Sequence, residues 1–173
     1  MGKKGLIPNY LTILRIFLTF PIVILLLFGK FNIVAGILFF TAMFTDYLDG
    51  KVARTFNQIS NLGKFLDPLA DKILVLSILI VFVEKREISP FIPIIILVRE
   101  FAITGLRTIL AQRDIVLSAL KEGKIKTFLQ DFSILFYIFE LPGKEILLFS
   151  ALFFTLYSGA VYFLQYWKIL FEE

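Results

Sequence analysis

Residues 46–72, "DYLDGKVARTFNQISNLGKFLDPLADK", carry four aspartates, Asp46, Asp49, Asp67 and Asp71, directly after an apolar run long enough to enter a membrane. Unpaired carboxylates are costly at the edge of a bilayer, so their presence asks for a function. Written as a helix, Asp46, Asp49, Gly50, Ala53 and Arg54 fall at i, i+3, i+4, i+7 and i+8, which is one stripe. Gly63, Asp67 and Asp71 repeat at i, i+4 and i+8, again one stripe, so two carboxylate pairs are expected to face each other. Gly50, Ala53 and Gly63 flank them with minimal side chains, letting a ligand or a neighbouring backbone come close. Asp67 precedes Pro68, a pairing suited to the first turn of a helix, where proline loses no needed hydrogen bond.

Four carboxylates within a few ångströms repel one another and cannot all be ionised unless cations join them. The chain has no Cys and no His, which removes thiolate chemistry, the commonest zinc ligands and the commonest general base. Oxygen-only ligands suit Mg²⁺ or Mn²⁺, a two-metal site is the natural size, and such a site binds phosphates. Arg54 would add a fixed positive charge for the same anion. A single aspartate here would as readily pair with Lys51, Arg54, Lys64 or Lys72; four at this spacing favour the metal site. A cation transporter or channel built on the same cluster stays open at this point.

These residues must be placed by a chain of 173 residues that is 58% hydrophobic, with mean hydropathy +0.87 and 21 Phe. Apolar stretches recur at about 10–28, 32–45, 73–83, 90–98, 125–139 and 146–166. Six spans of about 20 residues consume most of the length, leaving no separate soluble domain. The expectation is an all-α integral membrane bundle of six transmembrane helices forming a single domain over 1–173. The start, "MGKKGLIPNYLTILR", has lysines before an apolar run but no small-residue cleavage site, and is taken as the first helix.

Connections are expected at about Gly29 to Phe31, Thr55 to Lys64, Glu84 to Ser89, Gln112 to Lys124 and Leu141 to Glu145. With the N-terminus inside, Lys3, Lys4, Lys51, Arg54, Lys64, Arg113, Lys121, Lys124, Lys126 and Lys168 fall on the inner face, against Lys30, Lys85, Arg86 and Lys144 outside. The positive-inside rule therefore puts both termini in the cytoplasm. Asp46 lies 14 residues beyond Asn32, and Asp71 lies 13 before Glu84. Both would sit roughly 20 Å from the outer surface of a core about 30 Å thick, at one level in its cytoplasmic half.

The aspartate stretch reads D-x2-D-G-x2-A-R-x8-G-x3-D-x3-D, and it resembles the signature of the CDP-alcohol phosphotransferase family at every fixed position. "IPNYLTILR" at 7–15, "VREFAITGLR" at 98–107 and "GKIKTFLQ" at 123–130 resemble the branch of that family whose acceptor is glycerol 3-phosphate. The resemblance implies a six-helix enzyme of the cytoplasmic membrane, usually a homodimer, with a polar cavity open to the cytoplasm. It implies transfer of the phosphatidyl group from CDP-diacylglycerol to glycerol 3-phosphate, with release of CMP. Asp46, Asp49, Asp67 and Asp71 would hold the metals on the donor diphosphate, and Gly50 and Ala53 would line the cytidine site, close to Gly63. Arg54 would hold the nucleotide end, and Asp71 would also take the acceptor's hydroxyl proton. Inositol phosphate, or phosphatidylglycerol as in a cardiolipin synthase, are the alternative acceptors.

Arg99 and Arg107 lie two turns apart in the fourth helix, nearly on one face, and charges this deep usually line a cavity. With Lys124 and Lys126 they would form a second anion site, for the acceptor's phosphate. Arg99 also sits beside Glu100, so a structural ion pair between helices competes with that reading, and the lysines also fit the positive-inside pattern. Asp131 and Glu140, assigned to the fifth helix, belong to no motif; Asp131 suits a basic partner on the fourth helix and Glu140 the outer interface. The Phe residues read as lipid-facing or packing surface. The net charge of +4 follows from topology, with no nucleic acid involved.

Overall fold

The computed structural model of the chain describes residues 6–55, 61–113 and 121–171, with side chains described for 12–45, 66, 68–113 and 121–166. Six helices follow one another: α1 (Leu6–Phe28), α2 (Asn32–Thr55), α3 (Asn61–Glu84), α4 (Phe91–Gln112), α5 (Lys121–Ile138) and α6 (Lys144–Phe171). No strand occurs among the described residues, so the fold is all-α. Within α6, Lys144–Tyr166 is long and apolar enough to cross a membrane; Thr12–Phe28 and Asn32–Thr45 are shorter apolar stretches.

The breaks fall where charge, Gly and Pro interrupt the apolar periodicity, with three shifts. The third helix begins at Asn61, so Pro68 lies inside it, past the first turn. Pro68 therefore has no N–H to offer the Lys64 carbonyl four residues earlier. The fifth helix starts at Lys121 and stops at Ile138, leaving Glu140 outside it at φ 53°. α1 stops as expected: Gly29, at φ 69°, turns its N–H back to the Leu25 and Leu26 carbonyls at 3.2 Å.

Two compact units divide the chain. The first holds α1–α3 and Tyr137–Leu141, with α1 packed on both α2 and α3. Its core is built from one stripe per helix: Ile22 and Leu26 of α1, Ala35, Phe39 and Ala42 of α2, and Ala70, Leu74, Ile78 and Phe82 of α3. Tyr137 tilts against Phe82 at 5.2 Å, and the Phe139 ring lies over Gly36, where any side chain would collide with it. The second unit holds α4, α5 up to Phe136, and α6, with α4 packed on α6 around Ile103, Leu106, Leu110 and Tyr162.

In both units the opposite helix faces are apolar too: Phe17, Phe20, Ile33, Ile37, Phe40, Phe91, Phe101, Phe128, Phe149, Phe153 and Leu164 are all exposed. A helix that is apolar all round suits lipid, whereas a soluble bundle would turn charge outward.

Candidate active site

In the first unit, the buried stripe of α1 changes character along its length. Ile22 and Leu26 are apolar, but Thr12, Arg15 and Thr19, at i, i+3 and i+7, are polar and equally buried. Arg15 donates from Nη1 to Asp71 Oδ1 at 2.8 Å, and its backbone carbonyl accepts the Thr19 hydroxyl at 3.1 Å. The arginine side chain is 4% exposed and the aspartate 43%, so the cation is enclosed while its carboxylate is open to a ligand. Arg15 lies 13 residues before the end of α1 and Asp71 lies 13 before the end of α3. The bond therefore joins the two helices at matching distances from those ends.

Asp46, Asp49, Gly50, Ala53 and Arg54 lie on the last turns of α2, and Gly63 and Asp67 on the first turns of α3. Their side chains lie outside the described part. Both segments are helical, so the i, i+3 and i, i+4 spacings place each carboxylate pair along one face of its helix. Asp46 stands 14 residues from the start of α2, close to the count that separates Asp71 from the end of α3. Among the described residues, no group of three or more Asp, Glu, His or Cys side chains is placed to hold a metal.

The second unit ties its three helices together with polar links. Adjacent Arg99 and Glu100 of α4 reach different neighbours, as residues 100° apart on a helix must. Arg99 Nη2 donates to Ser158 Oγ of α6 at 2.8 Å. Glu100 Oε1 accepts Lys126 Nζ of α5 at 2.5 Å and Arg99 Nη1 at 2.9 Å. Gln130 Nε2 closes the triangle by donating to Thr155 Oγ1 at 3.1 Å, joining α5 to α6. The two hydroxyls donate onward within α6, Thr155 to the Ala151 carbonyl and Ser158 to the Thr155 carbonyl.

On the α6 side Gly159 lets Arg99 pass closely: a β-carbon there would sit 3.1 Å from Arg99 Cγ, tighter than ordinary contact. Arg99 Nε is buried and has no hydrogen-bond partner among the described residues.

Of the four cations expected to form an anion site, the structure brings Arg99 and Lys126 onto one carboxylate oxygen. Arg107 is exposed, stacks over Tyr162 at 5.6 Å and donates to its hydroxyl at 3.2 Å. Lys124 is exposed on α5, two positions from Lys126 and so on a different face. Arg99 also borders a cavity of about 410 Å³ between α4 and α6, walled by Ile103, Leu106, Leu156, Gly159 and Phe163. That lining suits hydrocarbon rather than a sugar phosphate.

Sequence reasoning missed the partners that complete these two clusters. For Arg15, the signal was the polar i, i+3, i+7 series in an otherwise apolar helix. For Ser158 it was the i, i+3 pair with Thr155, weaker because hydroxyls in apolar helices commonly bond their own backbone.

The spaced aspartates on two helices and the buried polar cluster on three others lie in a sequence that known proteins resemble over most of its length. The family model for CDP-alcohol phosphatidyltransferase matches residues 5–157. The chain belongs to that family. A Bacillus subtilis CDP-diacylglycerol–glycerol-3-phosphate 3-phosphatidyltransferase is 37% identical, covering 95% of this chain and 96% of that protein. Proteins with the same name from Rickettsia typhi and Mycoplasma genitalium are 36% and 32% identical, covering 91% and 93% of this chain. The matched region contains the spaced aspartates at the end of α2 and the start of α3, the Arg15–Asp71 pair and the Arg99–Glu100–Lys126 cluster.

Proposed function

We propose that this enzyme transfers the phosphatidyl group of CDP-diacylglycerol to glycerol 3-phosphate, giving phosphatidylglycerophosphate and CMP. The observation that carries the reading is Asp71, an accessible carboxylate fixed by an enclosed arginine at the end of the spaced aspartate motif. The relatives named for this activity, which align over nearly the whole chain, support the choice of acceptor.

The carboxylate-only motif, in a chain without His or Cys, fits hard divalent cations. The two helical spacings and the accessibility of Asp71 agree with that fit. Two Mg²⁺ or Mn²⁺ ions, held by Asp46, Asp49, Asp67 and Asp71, would neutralise the donor's diphosphate when bound. Gly50, Ala53 and Gly63 leave room for the cytidine, and Arg54 takes the nucleotide end. Asp71 accepts the proton of the acceptor's primary hydroxyl, and that oxygen bonds to the phosphorus bearing diacylglycerol as the bond from phosphorus to the CMP oxygen breaks. Arg99 and Lys126 hold the acceptor's phosphate, while Arg107, two turns further along α4, and Lys124, two positions before Lys126, add positive charge nearby. Most of the acceleration comes from positioning and charge neutralisation.

The six helices cross the cytoplasmic membrane with both termini and the active site on the cytoplasmic side, the orientation that the Lys and Arg distribution favours. The donor's acyl chains stay in the surrounding lipid, and two copies of the chain associate as a homodimer. The apolar outward faces of the helices support this placement.

The test separates an enzyme from a cation pathway built on the same aspartates. Purified protein in liposomes should release CMP from CDP-diacylglycerol only when glycerol 3-phosphate and a divalent cation are present. Metal-dependent ion flux with no CMP release would refute the reading.

A further inference from the structure

We propose that Glu100 is a positioning residue for the acceptor's phosphate, holding the Arg99 and Lys126 cationic heads together so that one anion meets both; this rests on the acceptor site proposed above. The pairing is unusual in its economy. A single oxygen, Glu100 Oε1, takes Nη1 of Arg99 at 2.9 Å and Nζ of Lys126 at 2.5 Å. All three side chains are nearly enclosed, 10%, 12% and 7% exposed for Arg99, Glu100 and Lys126.

Two cations this close repel each other strongly away from water, and a lysine on its flexible stem would otherwise swing toward solvent. Glu100 prevents that from α4, and Asp131 adds a through-space attraction on Lys126 from its own helix. Glu100 and Ser158 use only part of the donor capacity of the two heads. An arginine offers five N–H groups and a lysine three. The buried Arg99 Nε, without a partner among the described residues, is donor capacity that none of them uses. A phosphate monoester, with several acceptor oxygens and close to two negative charges, matches what remains.

This role differs from two simpler ones in the direction of its effect. If Glu100 were only a competing anion, its neutralisation would leave the site more positive and tighten phosphate binding. If it were only a helix tie, its loss would lower stability and affect both substrates alike. A positioning role predicts weaker binding of glycerol 3-phosphate alone.

The experiment is steady-state kinetics on the purified full-length protein with CDP-diacylglycerol, glycerol 3-phosphate and Mg²⁺, for Glu100→Gln, Glu100→Asp, Arg99→Gln and Lys126→Gln. Glu100→Gln should raise KM for glycerol 3-phosphate about tenfold, with kcat and KM for CDP-diacylglycerol within about twofold. Glu100→Asp keeps the charge on a shorter stem and should show a smaller rise, which keeps the question decidable if the glutamine variant fails to fold. A fall in KM for glycerol 3-phosphate, or equal changes for both substrates, would overturn the proposal. If Arg99→Gln and Lys126→Gln also leave that KM unchanged, the acceptor site itself is misplaced; if they raise it and the Glu100 variants do not, only the positioning role fails.

Discussion

The two units both bury a cation against a carboxylate, and they differ in which partner is left accessible. In the first, Arg15 is enclosed and Asp71 is open, 4% against 43% exposed. In the second, Glu100 is as enclosed as the cations it holds, at 12%. An acid that must bind a ligand or take a proton has to be reachable, whereas an acid that arranges other groups is best removed from water. The difference in exposure matches the two roles proposed for them, Asp71 as the reacting carboxylate and Glu100 as the positioning one.

The largest expected effect breaks the first cluster. Asp71→Asn keeps the side-chain shape and a partner for Arg15 but cannot accept a proton, so CMP release should fall by about 10²–10⁴-fold with the fold retained by circular dichroism. In the second cluster the loss should appear in KM for glycerol 3-phosphate and in stability. Lys126→Met leaves the buried Glu100 with one cation fewer and should cost about 3 kcal/mol, read as a lowered thermal midpoint in detergent. If the two substitutions had the same signature, the contrast between the clusters would fail.

Arg15→Met sharpens the comparison from the cation's side. It leaves Asp71 in place but unaimed, and kcat should drop about tenfold while KM for both substrates changes little. Arg107→Ala tests an exposed cation outside the shared-carboxylate cluster, and its loss from the Tyr162 ring should cost less than about 1 kcal/mol. The smallest effect is Glu140→Gly. Glu140 holds φ 53° beyond the end of α5, and glycine there should raise stability by about 0.5–1 kcal/mol in the same thermal assay.

The helices were legible because apolar runs, Gly, Pro and charge mark their ends, and the starts of α2 and α4 follow directly on those marks. The stripe spacing of the four aspartates was legible for the same reason, since it depends only on local helical periodicity. Pro68 and Glu140 were harder. A helix start depends on whether the chain upstream can continue the helix, and a left-handed glutamate has no local preference to announce it. The Arg15–Asp71 bond was not readable at all: its partners are 56 residues apart, and their meeting depends on how α1 packs along α3. The Glu100–Lys126 bond is a contact of the same kind, although the adjacent Arg99 made an ion pair there an open alternative.

Transfer to glycerol 3-phosphate, rather than to another alcohol, can be read directly from the product. The most direct measurement supplies purified protein with CDP-diacylglycerol and equal concentrations of glycerol 3-phosphate, inositol phosphate and phosphatidylglycerol, then identifies the lipid formed and the CMP released. Phosphatidylglycerophosphate should dominate, in step with CMP; a preference for either other acceptor, or CMP release indifferent to acceptor, would contradict it.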